Sequence, residues 1–180
     1  DTFGRGSCFF HALANAVCEG YDWVDCSRKR EALGVRLRHS FLKYSNEQLY
    51  QEAMDNVCRR IDMLADTHGN AAPPKPTIPP YSTFRDKMNK VSVWADMVLI
   101  SYVAHIFNLN LMFWDESACR FYFGVDCLDL KHEVPTIFIN WRNHTHFELI
   151  VRIDEKKNLV ERQFFYKDHK QLLDRVSDSY

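Results

Sequence analysis

Apolar positions change their spacing along this chain, and each spacing predicts a different element. Phe9-Phe10-His11-Ala12-Leu13-Ala14-Asn15-Ala16-Val17 runs without a breaker and predicts a buried helix. Across 28–65 the chain is charged, with apolar residues at Leu33, Leu37, Phe41 and Leu42, then at Leu49, Ala53, Val57, Ile61 and Leu64. Those i, i+3 and i+4 spacings predict surface helices with one buried face. Residues 68–80 hold five prolines, which forbid helix and strand alike. A loop is expected over 68–82, either a partner-contacting arm or a connector. Ser92 opens another helix, apolar over most of 94–107 and therefore central, and Asn108-Leu109-Asn110 ends it. Short strands follow at 109–114, 121–125, 136–141, 147–153 and 159–166. Pro135 and Asp154-Glu155-Lys156-Lys157-Asn158 punctuate them, the second as a hairpin turn. A last helix is expected within 167–180. Helices first and strands last predict an α+β fold around a small, mixed or antiparallel sheet.

At 180 residues, with 46% apolar and 14% aromatic side chains, the chain has material for one domain and one sizeable core. A formal charge of −1 and a pI near 6.8 argue against nucleic acid as the main partner. No stretch reaches the roughly 18 uncharged apolar residues of a membrane span. The six cysteines do not need to act as staples in a chain of this size, and no hydrophobic signal segment precedes them. A reducing, cytoplasmic compartment is therefore expected. The abrupt start at Asp1 leaves room for a trimmed preceding segment, as in a domain cut from a larger polyprotein.

The candidate chemistry starts at Gly4-Arg5-Gly6-Ser7-Cys8, a small-residue turn running into the first helix. Ser7 is the expected N-cap. Free amides and the helix dipole at that point lower a thiol pKa, so Cys8 is a candidate nucleophile. The competing reading is a small buried core residue. A nucleophilic cysteine needs a base, and the base an orienter. Asn143-His144-Thr145-His146-Phe147-Glu148 offers both, since residues two apart on a strand share a face. His146 is the better base because Glu148 follows it, whereas His144 is followed by His146. A metal reading of His144 and His146 is weak, because no cysteine pair shows the two-residue spacing that zinc sites favour. Neither metal nor cofactor is expected. His11, His39, His105, His132 and His169 read as core or incidental, and Trp94, Trp114 and Trp141 as packing residues. Trp141, five residues before His146, is also a candidate active-site wall.

Taken together, these pieces resemble the ovarian tumour (OTU) family of cysteine deubiquitinases. Gly4-Arg5-Gly6-Ser7-Cys8-Phe9-Phe10-His11-Ala12-Leu13 is similar to the family's nucleophile motif. Trp94-Ala95-Asp96-Met97 through Phe107-Asn108-Leu109-Asn110-Leu111 resembles its tryptophan-led helix and strand, and His146-Phe147-Glu148 its histidine block. The blocks come in the family's order, and Thr145-His146-Phe147 looks like the viral branch, although a bacterial effector would look similar. The resemblance implies a papain-like OTU fold with a small, mostly antiparallel sheet flanked by helices. It also implies a monomer acting on ubiquitin or ubiquitin-like conjugates, in the host cytosol if viral or bacterial. Cys8 would attack the carbonyl after the modifier's last glycine, His146 would shuttle the proton and Glu148 would orient it. Backbone amides of Arg5, Gly6 and Cys8 would form the oxyanion hole.

Two positions depart from the pattern. Arg5 replaces the motif's aspartate and cannot accept hydrogen bonds. Glu148 stands where the family has aspartate or asparagine, and if its extra methylene turns it away, Asn143 or Asp1 becomes the orienter. Arg5 keeps alive a second class of function, an OTU-like module that binds ubiquitin or another host protein without cutting it. A different papain-like peptidase or amidase is a third.

Overall fold

The long periodic segment breaks in two because Asn46 caps the start of a second helix, its Oδ1 accepting the Leu49 amide at 2.9 Å. The structure, a computed structural model, describes residues 7–18, 20–21, 26–68, 75–90, 93–116, 119–123, 131–143 and 145–178. Its helices are α1 (Cys8–Val17), α2 (Ser27–Tyr44), α3 (Glu47–His68), α4 (Tyr81–Met88), α5 (Met97–Phe107) and α6 (Tyr166–Asp178). The strands are β1 (Asn110–Asp115), β2 (Arg120–Phe123), β3 (Thr136–Arg142), β4 (His146–Ile150), β5 (Arg152–Asp154) and β6 (Leu159–Glu161). This is the α+β layout expected.

A four-stranded sheet has the order β2-β1-β3-β4, with β1 and β3 parallel and the two outer pairings antiparallel. One face, carrying Leu111, Phe113, Ile137, Ile139 and Phe147, joins the main core with Phe9, Phe10 and Leu13 of α1 and Leu99, Tyr102 and Val103 of α5. The other face carries Met112 and Phe138 and is covered by Phe164 and Leu173. The segment 147–153, expected as one strand, passes instead from β4 to β5 across Val151. β5 and β6 make a separate hairpin whose turn is closed by Asp154 Oδ1, accepting from the Lys156 and Lys157 amides at 3.1 and 3.2 Å.

Other expectations need correction too. The strand expected over 159–166 stops at Glu161, and Tyr166 already opens α6. The loop expected over 68–82 ends at Pro80, and Phe84 and Met88, four residues apart, bury one face of α4. Within its described part, 75–80, the Tyr50 hydroxyl donates to the Pro79 carbonyl at 2.8 Å, so this stretch is docked on the domain. The helix expected from Ser92 starts at Met97, because Asp96 caps it by accepting the Leu99 amide at 2.9 Å. Trp94 therefore lies outside the helix and is 46% exposed, not packed in the core. Ser7 occupies the N-cap position of α1, but at ψ 1° it is outside the extended conformation that turns a capping hydroxyl onto the helix amides. Its Oγ is buried with no hydrogen-bond partner among the described residues.

A charged residue inside the core ties the two halves of the helical layer. Arg38 of α2 is 1% exposed and donates to the carbonyls of Met88, Lys90 and Val93 at 3.0, 2.6 and 3.3 Å. Its guanidinium also lies 5.7 Å from the Phe10 ring centroid. That anchor fixes the segment leading into α5.

Candidate active site

Cys8 is the first residue of α1, and α1 packs beside β4, the outer strand of the sheet. Alternate amides of an outer strand point away from the sheet and need a partner. That of Phe147 acts on the Cys8 thiol, as do the amides of Phe9 and Cys8 itself. The peptide unit joining His146 to Phe147 therefore touches the sulfur, which brings the chain's first and last candidate motifs together. Phe147 holds this arrangement through aromatic contacts, its ring centroid 5.7 Å from that of Phe9 and 6.0 Å from that of Phe113.

The thiol is 1% exposed, and burial pushes its pKa above the ordinary 9.0. The three amides oppose that shift and are outweighed. The expected lowering at the helix start is thus reversed: the amides are in place, but desolvation is the larger effect. At rest Cys8 is a neutral thiol.

His146 opens β4, and its Nε2 lies 3.7 Å from Glu148 Oε1. The same carboxylate oxygen is 3.9 Å from Arg142 Nη1, and Arg142 Nε is 3.6 Å from Glu116 Oε2. Glu148 is thus shared between the imidazole and a guanidinium, at ion-pair rather than hydrogen-bond distances. The register explains the cluster, since Arg142 stands opposite His146 and Asn140 opposite Glu148. Directly opposed residues share a face, so all four project from the same side of the sheet.

Trp141 lies on the other side, stacked at 5° on Phe147 with centroids 6.2 Å apart. It lines the thiol's side of the sheet rather than the imidazole's. Arg5 and Gly6 of the expected oxyanion hole lie outside the described residues, as do Asp1 and His144. Asn143, the other alternative orienter, has φ 51° in the turn closed by Thr145 N–H donating to the Arg142 carbonyl at 3.1 Å. Asn tolerates that left-handed conformation. Among the described residues no three His, Cys, Asp or Glu side chains are grouped to hold a metal ion, and no helix is long and apolar enough to cross a membrane.

The chain is similar to the OTU domain of OTUD1. The two share 11% identity with a TM-score of 0.43, over 83% of this chain and 81% of that one. No protein-family model and no curated protein matches it.

Reading the sequence alone missed Arg142 and Asn140. The strand pattern contained the signal: a three-residue connection between Arg142 and His146 sets Arg142 against His146 and Asn140 against Glu148. Chemically, the cluster supplies a buried thiol in contact with backbone amides, and an imidazole with a carboxylate at one nitrogen.

Proposed function

We infer that this chain is a cysteine protease of the deubiquitinase type, hydrolysing isopeptide bonds at the C-terminus of ubiquitin or a ubiquitin-like modifier. The observation that carries the reading is the Phe147 amide on the Cys8 thiol, which brings the first candidate motif onto the backbone of the His146-Phe147-Glu148 block. The order of the three motifs in the sequence supports the substrate class.

Because Cys8 rests as a thiol, attack requires its proton to move. His146, with Glu148 near its Nε2, takes that proton as sulfur adds to the carbonyl carbon. The tetrahedral oxyanion is received by amides at the start of α1, with Arg5, Gly6 and Cys8 as the proposed donors. Its collapse breaks the C–N bond, and His146 returns the proton to the departing lysine amine. Water then attacks the thioester with His146 again as base, releasing the carboxylate and the Cys8 thiol. Trp141, stacked on Phe147, forms part of the wall on the thiol's side. A monomer in a thiol-reducing cytosol fits this chemistry.

One observation favours a second reading, binding without cleavage: a thiol 1% exposed must be uncovered before it can attack. Ubiquitin bearing a C-terminal thiol-reactive warhead separates the two. An adduct on Cys8 that disappears in Cys8→Ala is the expected result. Binding without an adduct establishes the second reading, and neither event removes ubiquitin as the substrate.

A further inference from the structure

The cluster around His146 contains an acceptor with nothing to accept. Asn140 Oδ1 is sealed from solvent and has no hydrogen-bond partner among the described residues. Leaving such an atom unsatisfied costs about 1–3 kcal/mol, so its presence needs a reason. In the sheet it is flanked by Trp114 on β1 and Glu148 on β4. Glu148, as a carboxylate, has no hydrogen to give it. Trp114 is an indole with one N–H, and like Asn140 it is fixed in a central strand.

A donor stands one diagonal away. His146 is two residues from Glu148 on the same face, and diagonal cross-strand neighbours are roughly 7–8 Å apart at Cα, within reach of longer side chains. Its Nε2 lies 3.7 Å from a carboxylate oxygen that Arg142 also approaches, at 3.9 Å. The groups near the imidazole are Glu148 and Arg142 from the sheet, with Glu116 reached through Arg142.

We propose that Asn140 is a positioning residue for the base, its buried Oδ1 serving as a second acceptor for the His146 Nε2–H beside Glu148. The proposal rests on His146 being the base. A neutral acceptor complements the charged one: it fixes the tautomer with the lone pair on Nδ1 whenever Arg142 draws Glu148 away. The two acceptors are then partly redundant, and each alone keeps the ring oriented.

The test uses the intact protein labelled with 15N-histidine, and reads from imidazole 15N shifts which nitrogen of His146 carries the hydrogen. In Glu148→Ala the Nε2–H tautomer should persist, and in Glu148→Ala/Asn140→Ala it should give way to a mixture. Turnover of a fluorogenic ubiquitin C-terminal derivative should fall less than about tenfold in each single variant and about 1,000-fold in the double one, more than the product of the two. Asn140→Asp, which keeps an acceptor, should restore the tautomer. Should Asn140→Ala not fold, Asn140→Leu fills the space without the acceptor. A Glu148→Ala protein already mixed in tautomer, or a double variant indistinguishable from it, overturns the proposal. The imidazole spectrum decides alone, so a wild type that never reacts with ubiquitin defeats the enzyme reading without deciding the role of Asn140.

Discussion

Gly34 of α2 and His11 of α1 meet so closely that a Cβ at position 34 would stand 2.7 Å from two atoms of the imidazole ring. Glycine inside a helix ordinarily costs about 1 kcal/mol relative to alanine. Here the missing methyl is what lets α1 and α2 pack. His11 is fully buried. Gly34→Ala should therefore destabilise by about 1–3 kcal/mol, against its helix propensity. A lowered urea midpoint in circular dichroism is the expected result, and an unchanged or raised one would show that the ring can yield.

Arg38 makes the opposite kind of contact, a charge satisfied by three carbonyls in the core. Arg38→Ala orphans all three and should cost about 3 kcal/mol or more. Arg38→Lys should recover only part of that, because one ammonium cannot reproduce the planar fork. Urea denaturation of both variants checks the order wild type, lysine, alanine.

The pH dependence of stability follows from buried titrating groups. Burial lowers His11 below its ordinary 6.5, with Glu31 opposing. His105 is lowered by burial and then by Lys131, against Glu52. Both accept a proton more readily in the unfolded chain, so their contribution is complete above about pH 6.5 and is lost as pH falls toward the depressed folded values. At the alkaline end the sign reverses. Burial raises Cys8 above 9.0 and lifts Tyr50 and Tyr102 to about 12, so the unfolded chain releases its protons first and stability falls above pH 9. Urea midpoints from pH 5 to 10 should trace this dome, and His11→Gln should flatten its acid limb.

Thiol reactivity should follow exposure rather than the proposed role. Cys26 and Cys119 are exposed, whereas Cys8 is buried with a raised pKa. Iodoacetamide at pH 7.5 should alkylate the two exposed cysteines at least about tenfold faster than Cys8. Peptide mapping by mass spectrometry over time reads the order directly. Cys8 labelling first would mean that the thiol is more open and more ionised than the structure describes.

Much of this architecture is legible in the sequence because period is a robust signal. Ala53, Val57 and Ile61 are all buried on α3, and His146 does begin a strand with Glu148 on its face. What was missed depended on tertiary context. The five prolines drew attention from Phe84 and Met88, which bury α4. Ser7 has the right side chain for a cap but the wrong ψ, which composition does not encode. The state of Cys8 turned on a contest between amides and desolvation, and only the packing of α1 against β4 gives its outcome. Arg142 and Asn140 needed the strand register, a property of two segments rather than one.

The contact between Cys8 and Phe147 also sets a schedule for biosynthesis. In a chain made from N- to C-terminus, the cysteine leaves the ribosome long before its amide partner exists. At about 5–20 residues per second, the delay is on the order of ten seconds. Throughout that interval β4 is not there to cover the sulfur. The contact that covers the thiol thus forms only once the far end of the sheet has been made.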